Sequence, residues 1–337
     1  MIWARPEYSI PDVNVAGKAL ANRDGDFLAA LDVVGNWRAS HSYPLNTLQL
    51  GLRTRTSGIS RALVAQRLKR VSSIIAKLRR EPDMKLSQMQ DIGGCRAVVD
   101  SIAAVHRLRD SYLKSRMKHK FAKQKDYIAE PKESGYRSIH LVYRYYSHRN
   151  STWNGKKIEI QLRSRLQHAW ATAVETVGMF LGQALKASEG DEDWLEFMTL
   201  VSSAFALLEK TPTCPGTPSA MDELKAMIRG MANRLNVETT LSAWQEALRV
   251  IERPAHSKAA YFLLALDHQE MTLAIRSYKQ RELQLATEDY GRAERELEGR
   301  GSAVLASAGS AKQLKRAYPS YYSDTDLFLE YLRQVIA

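Results

Sequence analysis

The run Lys157-Ile158-Glu159-Ile160-Gln161-Leu162-Arg163 alternates polar and apolar side chains without a break. Side chains along a β-strand alternate between faces, so the run predicts a strand with Ile158, Ile160 and Leu162 on one side and Lys157, Glu159, Gln161 and Arg163 on the other. One face packs and the other is left for chemistry. A carboxylate flanked by two cations and an amide suits an anionic ligand held with a metal ion. The same composition also suits a half-exposed antiparallel edge, and the run alone does not choose between them.

Neighbouring segments extend the pattern. Lys125-Asp126-Tyr127-Ile128, Pro131-Lys132 and Gly135-Tyr136-Arg137-Ser138-Ile139-His140 lead into an apolar, β-branched and aromatic stretch ending near Tyr146. Asn154-Gly155 accepts the positive φ of a type I′ turn, so an antiparallel hairpin is expected, with the polar residues from Ser147 to Thr152 lengthening its connection. Gly135 frees the backbone before Tyr136, which serves either as a platform for a flat base or as a core tyrosine.

Residues 59–80 carry Leu63, Leu68, Val71, Ile74, Ile75 and Leu78 at helical spacing and predict one helix, ended by Pro82. Lys69, Ser73 and Lys77 then stack at i, i+4 and i+8 as a phosphate-binding ridge or a solvated basic face, with Arg67 off that ridge. After Asp91, Cys95 to Val99 reads as a strand and Ile102 to Leu113 as an amphipathic helix. Lys114, Arg116, Lys118, Lys120, Lys123 and Lys125 add a positive field, or a solvated helix end. Residues 164–183 read as a helix with Trp170, Val174, Val177 and Leu181 as its apolar stripe and His168, Thr172 and Glu175 on another face.

Composition bounds the rest. A chain of 337 residues holds two domains, and 45% hydrophobic with 26% charged residues is ordinary for a globular protein. No apolar run approaches a bilayer span and no basic segment followed by an apolar core opens the chain, so a cytoplasmic protein without membrane contact is expected. Cys95 and Cys214 make neither a disulfide framework nor a zinc pattern. The net charge of +12 points to polyanionic partners, nucleotides and RNA among them. Thr211 to Ser219 holds three prolines and a glycine and reads as a linker. The expected division is an N-terminal segment 1–58 packing on a catalytic domain 59–210, a linker 211–219, and an α-helical domain 220–337. That last domain is marked by Leu224, Ile228, Leu235, Trp244, Leu248 and Ile251, by a helical pattern from Tyr261 through Leu285, and by the tyrosine segment Tyr318 to Tyr322.

Taken together, the KDYI, PKESGYRSIH, IEIQLR and HAW strings, Asp91-Ile92-Gly93-Gly94-Cys95-Arg96, and Arg67-Leu68-Lys69 with Ser73-Ile74 and Lys77 resemble the synthetase domain of the RelA/SpoT family. The resemblance implies an α+β fold, a mixed β-sheet flanked by helices of nucleotidyltransferase-like type, followed here by the α-helical C-terminal domain. No His-Asp metal-hydrolase signature precedes the motifs, as in short, hydrolase-free members. The family's reaction moves the β,γ-pyrophosphate of ATP to the ribose 3′-hydroxyl of GDP or GTP. Carried over residue by residue, Asp91 and Glu159 become the catalytic and Mg²⁺-binding carboxylates. Arg67, Lys69, Ser73, Lys77 and Arg96 become the ATP site. Lys125, Lys132, Tyr136, Arg137, His140, Gln161 and His168 become the acceptor site, His168 being equally readable as a structural residue. The resemblance also admits related toxins that modify the 3′ end of tRNA, and a decayed module that only senses nucleotide or RNA. A protein regulator at the C-terminal domain and a homo-oligomer are further partners to consider. Since every motif precedes residue 180, a chain ending near Thr211 is expected to keep basal transfer.

Overall fold

In the computed structural model the described residues are 3–180, 191–251, 259–267, 269–270, 272–298, 300–307 and 321–337. They divide into two compact units, residues 1–127 with 138–164 and residues 128–137 with 165–337. The boundary expected at 211–219 falls inside the second unit.

The first unit opens with helices whose starts are written in the sequence. Ser9 and Asp12 form a capping box, with Pro11 in the first turn, and launch α1 (Ile10–Asn22). Asp26 accepts from the backbone of Leu28 and Ala29 to start α2 (Phe27–Ala39), and α3 (Ser42–Thr56) follows. Then come β1 (Leu63–Leu68), α4 (Val71–Arg80), β2 (Gly93–Val99), α5 (Ile102–Leu113), β3 (Lys120–Asp126), β4 (Ile139–Arg144) and β5 (Lys157–Ser164). The sheet order is β1-β2-β5-β4-β3, with β2 and β5 parallel and every other pair antiparallel.

The single helix expected over 59–80 is instead a strand followed by a helix. Leu63 to Leu68 pairs with β2 from Val98 to Gly93, and that pairing overrides the helical spacing of its leucines. The basic run near 120 is likewise an edge strand, β3, with a register shift between Phe121 and Lys123. Such a charged, irregular edge resists pairing with another chain. The expected hairpin forms between β4 and β5. Its connection is long, with Tyr145 bonded to Lys156 and Gly155 at φ +86°.

One sheet face is apolar: Cys95, Ala97, Val99, Ile139, Leu141, Ile158, Ile160 and Leu162 are all buried. Helix α3 lies against it at Gly93, where an added Cβ would stand 3.6 Å from the Leu45 Cβ. A second core joins α1 and α2 to α4 through Val13, Leu20, Val34, Trp37, Ile74, Leu78 and Ile92. Beside it the buried Lys156 ammonium lies 3.2 Å from the centre of the Trp37 ring.

The second unit comprises α6 (Arg165–Phe180), α7 (Glu192–Leu208), α8 (Met221–Arg234), α9 (Val237–Ile251), β6 (Tyr261–Asp267), β7 (Thr272–Tyr278), α10 (Leu283–Glu296), β8 (Gly301–Ser307) and α11 (Tyr321–Ile336). One core runs through Trp170, Val174, Phe197, Phe205, Leu224, Ile228, Leu241, Trp244 and Phe328. The helical pattern expected from Tyr261 through Leu285 gives way to strands: β6 pairs with β7 and β8 in a three-stranded antiparallel sheet. Phe262 and Leu264 enter the main core while Leu263 packs with Tyr278 and Ala286, so both faces of β6 are covered. A continuous apolar run of that length reads equally as helix or strand. Asp267 ends the strand by accepting from the backbone of Gln269 and Glu270. Leu181 and Tyr318 to Ser320 lie outside the described residues.

Candidate active site

The strand register gathers the polar face that the alternating run foreshadows. Glu159 is level with Gly94 and Val142, and Gly94 with Arg67. On the next rung Gln161 is level with Arg96 and His140, and His140 with Lys125. In-register neighbours share a face, so Arg67, Arg96, Lys125, His140, Glu159 and Gln161 all belong to one side of the sheet. Lys123, Arg144 and Lys157 join them, level with Val142, Lys157 and Arg144 respectively. Gly94 places no side chain between Arg67 and Glu159.

Asp91 stands just before β2. The Lys69 amide donates to the Ile92 carbonyl at 2.8 Å, which prolongs the β1–β2 ladder and brings Lys69 alongside Asp91. The Lys69 Nζ is 2.6 Å from Asp91 Oδ2, and the Lys77 Nζ is 3.4 Å from Oδ1. The ridge expected of Lys69, Ser73 and Lys77 is thus only partly helical: Lys69 precedes α4, while Ser73 and Lys77 ride on it. Arg70 is the N-cap of α4, its side chain making no capping bond to the first-turn amides, and Ser73 lies in that first turn. A helix start of this kind, beside two ammonium groups, favours anions. Burial alone pushes the Asp91 carboxyl up, but Lys69 and then Lys77 outweigh it and hold it at about 2.

Glu159 is buried with both carboxylate oxygens engaged. His140 Nδ1 is 2.9 Å from Oε1, and Gln161 Nε2 donates to Oε2 at 2.6 Å. Arg163 Nη2 reaches Gln161 Oε1 at 3.5 Å, and the Tyr127 ring meets His140 edge-on. Burial raises the Glu159 carboxyl and the Asp91 charge raises it further. His140, by charge and by hydrogen bond, and Gln161 bring it below the usual carboxylate value. Two ionised carboxylates close enough to repel each other are hard oxygen donors of the kind Mg²⁺ takes one or two of, alongside phosphate and water. Among the described residues no group of three or more His, Cys, Asp or Glu side chains is arranged to hold a metal.

Lys132, Tyr136, Arg137 and His168 belong to the second unit. Tyr136 packs partly on its core, with Lys132 Nζ 5.5 Å from the ring centre. Arg137, expected to face the acceptor, is 3% exposed; its Nε donates to Ser202 Oγ at 3.1 Å and its Nη2 meets Cys214 Sγ. His168, also expected there, is buried with Nε2 3.3 Å from Asp324 Oδ2 on α11. Interior packing of the helices takes up both side chains. Sequence reading missed Arg38, whose Nε donates to the Lys69 carbonyl at 2.6 Å, and Ser202. It named Lys157 and Arg163 on the polar face but gave neither a role; Lys157 donates to the carbonyls of Ser87 and Gln88.

Residues 66–177 match the family described as the region found in RelA / SpoT proteins. Among similar proteins, GTP pyrophosphokinase YjbM of Bacillus subtilis is 40% identical over 114 residues, 32% of this chain and 52% of that protein. GTP pyrophosphokinase YwaC of the same organism is 32% identical over 112 residues, again 32% and 52%. The chain thus spans about half the length of these curated relatives. Among solved structures, small alarmone synthetase 1 from Bacillus subtilis bound to its product pppGpp is 28% identical, covering 52% of this chain and 92% of that chain at a TM-score of 0.45.

Proposed function

We propose that this chain, which carries a RelA/SpoT region at residues 66–177, is an ATP-dependent pyrophosphotransferase of the GTP pyrophosphokinase type. It moves the β,γ-pyrophosphate of ATP to the ribose 3′-hydroxyl of GDP or GTP, giving ppGpp or pppGpp and AMP. The observation that carries this reading is the convergence of Lys69 and Lys77 on Asp91 beside the start of α4, with the ionised Glu159 near enough to feel the Asp91 charge.

In the proposed reaction the acceptor 3′-oxygen bonds to the β-phosphorus, the bond from that phosphorus to the α,β-bridging oxygen breaks, and AMP departs with the bridging oxygen. The hydroxyl proton passes to a base. Phosphoryl chemistry of this kind depends on charge neutralisation and in-line placement. Lys69, Lys77, Ser73 and the first-turn amides of α4 suit the ATP phosphates, and Arg67 and Arg96 flank them from β1 and β2. Glu159, with its oxygens fixed by His140 and Gln161, suits the base or a metal ligand. Bound Mg²⁺, held by Asp91 and Glu159, would neutralise phosphate charge. Tyr136, with Lys132 over its ring, suits a nucleotide base, and Lys125 on the polar face of the sheet suits phosphate. The relatives named GTP pyrophosphokinase support a guanine nucleotide as acceptor.

A tRNA 3′ end is the second reading, favoured by the basic margin of Lys120, Lys123, Lys125 and Arg144 and by the charge of +12. A decayed sensor is disfavoured, because a pure binder gains nothing from two mutually repelling carboxylates. The proposal is tested by Asp91→Asn and Glu159→Gln, each expected to keep the fold and lose roughly 10²–10³ in transfer rate, the scale of a lost transition-state contact. Undiminished transfer in either folded variant overturns the assignment.

A further inference from the structure

The backbone around Tyr136 is held from outside the matched region. Gly135 sits at φ +80°, and a Cβ on it would stand 2.8 Å from Trp170 Cζ2 and 3.0 Å from Ser202 Cβ. Ser202, on α7, donates from Oγ to the Gly135 carbonyl at 2.6 Å and accepts from Arg137 Nε at 3.1 Å. One hydroxyl, with its donor and an acceptor position both used, therefore fixes the residue before Tyr136 and the residue after it. A turn earlier on α7, Thr199 Oγ1 lies 3.3 Å from the Glu133 carbonyl. The loop closes on itself through the Gly135 amide and the Lys132 carbonyl, 2.9 Å apart. Cys214, in the segment 211–219 expected to be a linker, backs the Arg137 guanidinium and donates its amide to Ser203 Oγ at 2.9 Å.

We propose that Ser202 is a positioning residue for the acceptor. It touches no substrate; it sets the acceptor affinity by fixing the backbone on both sides of Tyr136 and with it the plane the ring presents. The inference rests on the function proposed above and extends it to a helix beyond residue 177. A buried serine that only satisfied two polar groups would also destabilise the protein when removed. What separates the roles is which substrate suffers. Lys69, Ser73 and Lys77 belong to the other unit, so a positioning role moves the acceptor term and spares the ATP term.

The test uses the full chain as wild type, Ser202→Ala, and Thr176→Val as a control. Thr176 is a buried hydroxyl on α6 whose bond among the described residues lies within its own helix, to the Thr172 carbonyl at 2.8 Å. Steady-state transfer from labelled ATP is measured to whichever of GDP, GTP or deacylated tRNA the wild type uses, and acceptor binding is measured by calorimetry without ATP. In Ser202→Ala the acceptor KM and Kd rise about tenfold, the scale of one lost buried hydrogen bond, with the ATP KM unchanged. In Thr176→Val neither KM moves. An unchanged acceptor KM, or an equal rise in both KM values, overturns the proposal. Should Ser202→Ala not fold, Thr199→Val, which releases Glu133 and, within its own helix, the Leu195 carbonyl, carries the same test in the same direction. A wild type that transfers to no acceptor refutes the function, and GDP binding then decides the inference: tenfold weaker in Ser202→Ala supports it, equal or undetectable binding overturns it.

Discussion

Replacing Lys69 with Met keeps the length of the side chain and removes the cation 2.6 Å from Asp91. Lys69 and Lys77 together hold the Asp91 carboxyl at about 2 against an ordinary 3.8, in spite of burial. At 1.36 kcal/mol per pKa unit, that difference is about 2 kcal/mol of stability from the ionised form. The pair with Lys69 is the shorter, and both side chains are mostly shielded from water. Lys69→Met leaves burial opposed by Lys77 and a backbone hydrogen bond alone, so the Asp91 carboxyl rises toward its ordinary value. For a carboxylate lowered by folding, the stabilisation is complete above about pH 4 and is lost as pH falls toward 2. Urea unfolding of wild type and variant across that range should show a deficit of up to about 2 kcal/mol at neutral pH that closes below pH 4. A variant as stable as wild type at neutral pH, or a deficit equally large near pH 2, would refute the electrostatic account. The second outcome would assign the loss to packing.

Two further outcomes follow from the fold. A chain ending at Thr211 loses Leu224, Ile228, Leu241, Trp244 and Phe328 from the core that holds Trp170 and Phe197, so it should be insoluble or lose transfer; sedimentation and a transfer assay check this. That reverses the sequence expectation of retained basal transfer. Burial, then Lys156, hold the His41 imidazole at about 3 against 6.5, so the folded state keeps it neutral and stability drops as pH falls below 6.5, by about 1.4 kcal/mol per pH unit from this group. The slope of urea stability between pH 6.5 and 5 should be shallower in His41→Gln.

The alternating run of β5 was fully legible because a two-residue period allows only two faces: Ile158, Ile160 and Leu162 are buried, and Glu159 and Gln161 share the polar side. The ridge of Lys69, Ser73 and Lys77 was found for a reason only half right. Spacing of four residues cannot tell a helix from a strand leading into one, yet both geometries carry the lysines to Asp91. β6 misled because both of its faces are covered, which erases the period. Arg38 and Ser202 left no signal: each is a single polar residue on a helix, 31 and 65 positions from the residue it holds, and nothing local encodes such a contact. Arg137 and His168 sat in motifs that invited a ligand, and only burial revealed their protein partners.

The most direct test of the proposed chemistry incubates the purified full chain with Mg²⁺ and γ-labelled ATP, in parallel with GDP, GTP and deacylated tRNA, and resolves nucleotides and RNA by chromatography and gel. The account predicts labelled ppGpp or pppGpp with one AMP formed per product, and none in Asp91→Asn. Label confined to tRNA would contradict the guanine-nucleotide acceptor, and label in no acceptor would contradict the pyrophosphotransferase itself.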